Sequence, residues 1–350
     1  MNAQHPFISP GIASALGAAL LFGAGTPLAK LLLQDVSPWL LAGLFYLGSG
    51  AGLSLYRLVS RAEPVRLPGA ETGWFAGAIL AGGVVGPVLL MYGLSGMPAS
   101  GTALLLNAEG VLTALLAWLV FKENFDYRIA LGMFAIAAGA VVLSWPGEMQ
   151  FAGALPALAV LGACLAWAVD NNLTRKVSLA DATWIAAVKG LVAGTVNLAI
   201  AFALGDQLPS LPMLAAALLV GLLAYGISLV LFVVGLRHLG TARAGAYFSV
   251  APFCGAFIAL AMGEPLTTRL IVAGSLMAIG IWLHLTEQHE HEHTHEAMEH
   301  SHEHLHDEHH QHGHDYPVAP GGKHSHIHRH QPISHTHAHF PDVHHVSHPH

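Results

Sequence analysis

The sequence predicts an all-α integral membrane protein: ten transmembrane helices as two inverted five-helix repeats, followed by a disordered C-terminal tail. Three observations carry that prediction. The 350 residues are 54% hydrophobic and 10% charged, where a soluble globular domain has about 25% charged residues. Apolar runs near the length that spans a bilayer, about 20 residues, recur along the chain with short connections between them. The third observation is that the second group of runs repeats landmarks of the first.

Taken in order, the runs cover 10–33, 38–58, 73–94, 101–121, 128–145, 154–175, 183–204, 213–236, 242–262 and 267–285. The first holds Phe22-Gly23 and Pro27 and reaches Lys30. The second opens on Pro38-Trp39 and ends at Arg57. The third carries Gly82, Gly83 and Gly86-Pro87, which suit close helix contact with a local break; a wall of the transport pathway is a second reading of them. The fourth contains Asn107-Ala108-Glu109-Gly110. The sixth closes on Asp170-Asn171-Asn172, and the seventh holds Lys189 and Asn197. The two cysteines, Cys164 and Cys254, lie in separate apolar runs and offer neither a CxxC nor a disulfide framework.

Orientation follows the basic residues of the loops. Arg57, Arg61, Arg66, Lys122, Arg128, Arg175, Lys176, Arg237 and Arg243 fall after even-numbered runs, against Lys30 and Arg269 on the opposite side. Nine against two predicts that both termini are cytoplasmic, in a bacterial inner (plasma) membrane.

At an offset of 145, residues 17–22 (GAALLF) lie over 162–167 (GACLAW), Leu28 over Leu173, Lys30 over Arg175 and Trp39 over Trp184. Further on, Glu109-Gly110 matches Ala251-Pro252, and Glu123 matches Glu264 after a one-residue slip. Each half then has five helices, so the second enters the membrane the other way up. Inverted repeats are frequent in secondary transporters, with the substrate site near the midplane between the halves.

These landmarks resemble the EamA-type members of the drug/metabolite transporter superfamily. The resemblance rests on Phe22-Gly23, Pro27 and Lys30, and on Asn107 through Gly110 with Phe121-Lys122-Glu123. In the second half it rests on Val250-Ala251-Pro252 through Gly263-Glu264-Pro265. It covers residues 10–285 and implies a ten-helix carrier as repeats 10–145 and 154–285. It leaves the cargo open, since members carry amino acids, sugars and other metabolites, and the tail lies outside the family pattern.

An ionisable side chain deep in a membrane is costly, so each one is a functional candidate. Glu109, beside Asn107 and followed by Gly110, sits near the midplane. It is read either as a cation or proton site or as a protonated carboxyl bridging two helices. Asp170 and Lys189 lie at similar depth, roughly 7–9 Å from the cytoplasmic surface. They are expected to pair, as a structural contact or as an inner gate, although Lys189 can also snorkel alone. Asn171 joins the candidate pathway set of Glu109, Asn107, Asp170, Asn171 and Lys189, and Asn197 is expected to hydrogen-bond between helices. No G-x-S-x-G, phosphate-binding glycine loop or HExxH occurs, and the loops are too short for an active site. No catalytic residue is expected.

The tail, 289–350, holds 23 of the 26 histidines and nine acids against two bases. It has too little apolar content for a core and is expected to be disordered. Imidazole suits Zn, Ni, Co and Cu. The expected ligands are His289, His291, His293, His295, His300, His302, His304, His306, His309, His310, His312 and His314, then His324, His326, His328, His330, His335, His337 and His339. Buffering, regulation, delivery of metal to a path and cytoplasmic pH sensing all remain open for the tail.

The membrane runs argue against metal as cargo. Their candidate ligands (Glu109, Asn107, Asp170, Asn171, Met91 and the two cysteines) form no His/Asp/Glu cluster at helical spacing. The expected function is alternating-access transport of a small solute with a metal-binding tail and no required cofactor. A Ni/Co/Zn transporter is the alternative, and a metal-sensing or metal-storing membrane protein without transport the further one. Expected partners are the lipid bilayer, a small-molecule or ion substrate and divalent metal ions, with a homodimer left open and no nucleic acid.

Overall fold

Helix ends in this chain are written into short polar and Gly/Pro signals between apolar stretches. Ser37 caps the helix at Pro38, accepting from the Leu40 N–H at 3.2 Å, and Asp181 caps the helix at Ala182, accepting from the Trp184 N–H at 2.8 Å. Gly205 closes the far end of that Ala182 helix and Gly263 ends the helix Ala251–Ala261, both in the left-handed region, with φ of 93° and 104°. The amides that follow return to the last turn: Asp206 N–H to Ala201 O at 3.0 Å, and Glu264 N–H to Ala259 O at 3.2 Å.

The computed structural model describes residues 10–65, 67–121, 127–145, 154–177, 180–239, 247–285, 290–295, 299–304, 324–329 and 333–338, the last four segments as backbone only. Arg66, Lys122, Glu123 and Arg243 lie outside the described residues. The chain divides into two compact units, Met1–Glu287 and Gln288–His350.

The first unit is helical. Its helices are α1 (Pro10–Leu32), α2 (Pro38–Val59), α3 (Gly69–Ala78), α4 (Gly86–Ser95), α5 (Ala99–Leu105), α6 (Ala108–Phe121) and α7 (Tyr127–Ser144). Then come α8 (Leu155–Thr174), α9 (Ala182–Ala203), α10 (Leu211–Gly221), α11 (Ser228–Leu239), α12 (Ala251–Ala261) and α13 (Thr268–Leu285). Two π-helical turns, Ile79–Val85 and Leu222–Ile227, join α3 to α4 and α10 to α11 as continuous runs.

Among the described residues, seven runs are long and apolar enough to cross a bilayer: Pro10–Leu32, Pro38–Val59, Gly69–Ser95, Ala99–Leu116, Leu155–Thr174, Ala182–Ala203 and Leu211–Gly235. Shorter apolar helices, Ala130–Ser144, Ala251–Ala261 and Thr268–Leu283, stand at the fifth, ninth and tenth expected runs. The fourth run is not one helix, as the sequence suggested. It turns at Leu106-Asn107, where Leu104 O accepts from the Asn107 backbone N–H at 3.0 Å and from its side-chain amide at 2.8 Å. In the second half a turn at Ser249-Val250 precedes α12, whose Pro252 has no N–H to give.

The packing pairs the halves. α2 lies along α9, and α7 along α13. α1 packs on α11, α12 and the second π-turn, while α8 packs on α4, α6 and the first π-turn. The α2–α9 contact is backbone against backbone. A Cβ on Gly190 would stand 2.6 Å from Gly50 Cα, and one on Gly194 would stand 2.6 Å from Leu47 N. Small residues four apart let helices approach this closely in a membrane.

The second unit holds the segment expected to be disordered. Among its described residues the backbone forms four strands, β1 (Glu290–His295), β2 (Glu299–His304), β3 (His324–Arg329) and β4 (Ile333–Ala338), with β1 antiparallel to β4 and β2 antiparallel to β3. Lack of a core does not forbid pairing through backbone hydrogen bonds, and the His-x-His alternation has the period of two that a strand requires. In register, His291 and His293 face His337 and His335, while His300, His302 and His304 face His328, His326 and His324. His289, His306, His309, His310, His312, His314, His330 and His339 lie outside the described residues.

Two stability predictions follow from this architecture. Gly190→Val forces α2 from α9 and lowers stability by about 1–3 kcal/mol or more, whereas Gly73→Ala, with open space around it, leaves the thermal midpoint unchanged or slightly raised. The second concerns Asp181, which Arg57 contacts at 2.6 Å. Partial burial pushes its carboxyl up, but hydrogen bonds from Thr183 and the Trp184 N–H and the Arg57 charge outweigh that and hold it below its usual range. Its contribution is therefore complete above the unfolded value of about 3.9 and is lost as pH falls through the lower folded value. The difference in thermal midpoint between the wild type and Asp181→Asn should be full at pH 7 and close as the solution is acidified below that range.

Candidate functional site

Glu109 stands in the first turn of α6, immediately beyond the Leu106-Asn107 turn. One of its carboxylate oxygens accepts from Asn171 Nδ2 of α8 at 2.9 Å. The same amide reaches Thr113 Oγ1, one turn along α6, at 3.4 Å. Asn172 donates to Thr113 O at 3.3 Å and to Ala168 O at 2.8 Å. Two successive asparagines thus hold α6 against α8.

Asp170, one residue earlier, is buried and paired with Lys189 of α9, as expected from their similar depth. Its other oxygen accepts from Thr174 Oγ1 at 2.9 Å. The carboxylate occupies the space in which a Cβ on Gly82 would stand. Gly82 lies in the first π-turn, where the shifted backbone pattern leaves carbonyls for other donors. Gly82 O accepts from Tyr46 OH at 2.7 Å and from Trp167 Nε1 at 2.9 Å. Gly83 O accepts from Asn197 Nδ2 at 3.0 Å, the interhelical bond expected of that residue.

Exposure is uneven around this cluster. On α8, Asn171 shares a helical face with Cys164 and Trp167, seven and four residues earlier, both buried; exposed Leu158 and Leu165 mark the opposite, outward face. Asn171 itself, in the last turn of α8, is exposed. Glu109 is half-buried, Gly110 is exposed, and nothing stands within 4 Å of a Cβ placed on Gly110. Phe22 behaves the same way: it is half-buried although Ala18 and Thr26, four residues to either side on α1, are buried.

Aromatic rings gather here from several elements. Tyr225, in the second π-turn, lies 5.9 Å from Phe22, 5.9 Å from Phe45 and 5.6 Å from Tyr46 between ring centroids. Phe248 lies 5.5 Å from Phe22 and 4.7 Å from Phe232.

Of the residues selected from sequence, Glu109, Asn171, Asp170 and Lys189 form one connected patch. Asn107 does not join it and turns to Leu104 O and, at 3.7 Å, to Met277 Sδ. Cys164 lies against Leu105 O, and Met91 is fully buried. No group of three or more His, Cys, Asp or Glu among the described residues could hold a metal ion. Sequence reasoning missed Thr113, whose signal was its spacing of four from Glu109, and Asn172. It also missed the aromatic cluster, which no single-helix pattern betrays.

Charged side chains also fix the hairpin that leads into the Glu109 run. Lys30 Nζ donates to Leu94 O at 2.7 Å and Ser95 O at 3.1 Å, capping the carbonyl end of α4. Glu264 accepts from the Ala99 and Ser100 N–H groups at 2.6 and 2.9 Å, capping the amide end of α5. Each charge matches the sign that its helix end favours.

The profile of the EamA-like transporter family matches residues 9–145 and again 154–286. The chain belongs to that family and is an integral membrane protein. It is 29% identical over 295 residues to a protein of Methanothermobacter thermautotrophicus described as an uncharacterized transporter, covering 78% of this chain and 85% of that one. A solved structure titled only as the crystal structure of a protein superposes with a TM-score of 0.60 at 18% identity, over 78% of this chain and 95% of the other. At that identity the likeness speaks to the fold alone.

The Asp170–Lys189 pair yields a double-mutant prediction. Lys189→Met leaves a buried carboxylate unpaired and should cost about 3–5 kcal/mol. Asp170→Asn combined with Lys189→Met should cost less than Lys189→Met alone. Thermal or denaturant unfolding of the purified variants reads the coupling.

Proposed function

We propose, for this EamA-like family member, that the chain is a secondary transporter that moves a small solute by alternating access, and that its histidine-rich tail binds metal ions to buffer or regulate. The observation that carries the reading is the Glu109–Asn171 pair, a half-buried carboxylate held by an exposed amide between two membrane helices. An ionisable group among membrane helices is a functional candidate, and a passing solute gives it a role.

Alternating access needs two bodies that rock about a central site. The sequence offset, the matching positions of the two π-turns and two mid-run turns, and the exchange symmetry of the packing support two inverted five-helix repeats, ten spans in all. Glu109, Asn171 and Thr113 then contact the solute, with Asp170–Lys189 directly beside them. This end of α8 faces the side of both termini, which the basic-residue bias assigns to the cytoplasm of a bacterial inner membrane. At the other end Lys30 ties the α4–α5 hairpin to α1 and Glu264 ties it to the second half, and a rocking motion has to release or carry that second contact.

For the tail, histidines at facing register positions support binding of Zn, Ni, Co or Cu, since imidazole is the ligand these ions share. The same histidines favour a second reading in which one of these metals is the cargo and the tail collects it.

Cell-associated Ni, Co, Zn and Cu, measured by elemental mass spectrometry, separates the two. Cells would make the full chain, a chain stopped after Glu287, or the full chain with Glu109→Gln. The proposed function expects metal content to follow the tail whatever stands at residue 109. A metal change that Glu109→Gln abolishes makes metal the cargo and overturns it.

A further inference from the structure

We infer that the second unit holds two separate transition-metal sites, one for each of its strand ladders, and that each ion bridges the two strands of its ladder. The inference rests on the metal-binding reading of the tail above and gives that binding a place and a number.

Alternation alone does not create such a site. With histidine at every second position, a strand keeps its histidines on one of its own two faces. Whether two strands put theirs on the same face is a matter of register, since a one-residue slip moves the whole set to the other side. In β1–β4, His291 faces His337 and His293 faces His335, while Glu292 faces Thr336 and Thr294 faces Ser334. In β2–β3, His300, His302 and His304 face His328, His326 and His324, while Glu299 faces Arg329 and Glu303 faces Ser325. Both ladders thus take the register that faces histidine with histidine, and neither has a histidine on its other face.

Facing residues of an antiparallel pair have Cβ atoms about 4.5–5.5 Å apart, and the next pair along the same face lies about 7 Å away. Histidines at that spacing can share one ion, whose bonds to imidazole nitrogen are about 2.0–2.1 Å long. β1–β4 supplies two such facing pairs, the ligand count of a closed tetrahedral site, and β2–β3 supplies three. An all-imidazole set suits Zn, Ni, Co or Cu, whereas Ca and Mg need several oxygens.

The ladders are separate two-stranded sheets. Histidine also changes from odd positions in β1 to even positions in β2, which breaks the period of two that one continuous face would need. Two sites follow, not one. No group of His, Cys, Asp or Glu among the described residues of the first unit could hold a metal ion, so the described helices offer no competing site. An isolated pair of short strands is marginal in water, and an ion that binds only the paired form stabilises it. A metal held between β1 and β4 therefore ties residues 290–295 to residues 333–338, and closure of the tail follows metal supply.

The test is a zinc titration of the purified full chain against a chromophoric chelator, reading the tightly held ions per chain. The full chain should hold two more than a chain stopped after Glu287, one for each ladder. His291→Ala with His293→Ala should remove one of the two, and so should His335→Ala with His337→Ala. All four changes together should remove no more than that same ion, because both strands serve it. Alanine at His344, His345, His348 and His350, four histidines outside the ladders, should remove none.

A loss that grows with the number of histidines replaced, or an equal loss from the set outside the ladders, overturns the two ladder sites and leaves the metal-binding reading of the tail standing. Equal zinc on the full chain and on the chain stopped after Glu287 overturns both.

Discussion

Every backbone N–H and C=O that enters a bilayer has to find its partner inside the protein, and the architecture of this chain follows from where that rule is kept and where it is bent. Over most of the first unit the α-helical ladder keeps it. At the first π-turn and at Leu106-Asn107 the ladder is interrupted, and side chains complete the bonding. Tyr46, Trp167 and Asn197 serve the Gly82 and Gly83 carbonyls, while Asn107 serves Leu104. The interruption at Leu106-Asn107 restarts the helix just before Glu109 and sets that carboxylate in a first turn, where the amide end of α6 favours it. The polar patch is thus a consequence of irregular backbone, held where other helices can satisfy it.

Charges are sorted by the same rule. Those at the ends of the bundle cap helix termini: Lys30 on α4, Glu264 on α5, Asp181 on α9 with Arg57 behind it. The buried Asp170 and Lys189 neutralise each other. Glu109 shares the helix-end place of the capping charges, but its carboxylate accepts from the neutral Asn171 amide of another helix.

Much of this could be read in the sequence because depth is easy to count. Residues 170 and 189 lie similar distances from one short loop, and 1.5 Å per residue brings them level. The Gly82-Gly83 and Gly86-Pro87 pattern announced a break in the third run, found as a π-turn. Depth says nothing of azimuth, however, so the choice of Asn171 over Asn107 as the partner of Glu109 was not legible. Nor was the aromatic cluster, whose rings come from α1, α2, the second π-turn, α11 and the residues just before α12. The turn at Leu106-Asn107 hid because asparagine is only mildly unfavourable inside a helix. In the tail, composition measures whether a segment can bury a core, while strand pairing depends on alternation.

Gly82 has no side chain, yet several separate elements meet on it. Its carbonyl takes the tyrosine of α2 and the tryptophan of α8, and its Cα leaves room for the Asp170 carboxylate, through which Lys189 of α9 is reached. In the language of mutational tolerance, this makes an apparently blank residue one of the least replaceable in the first half. Even alanine there would push against the ion pair instead of against a yielding hydrocarbon wall. A substitution scan would score the position as a packing glycine, and the score would in fact be reporting on an electrostatic contact that belongs to two other residues.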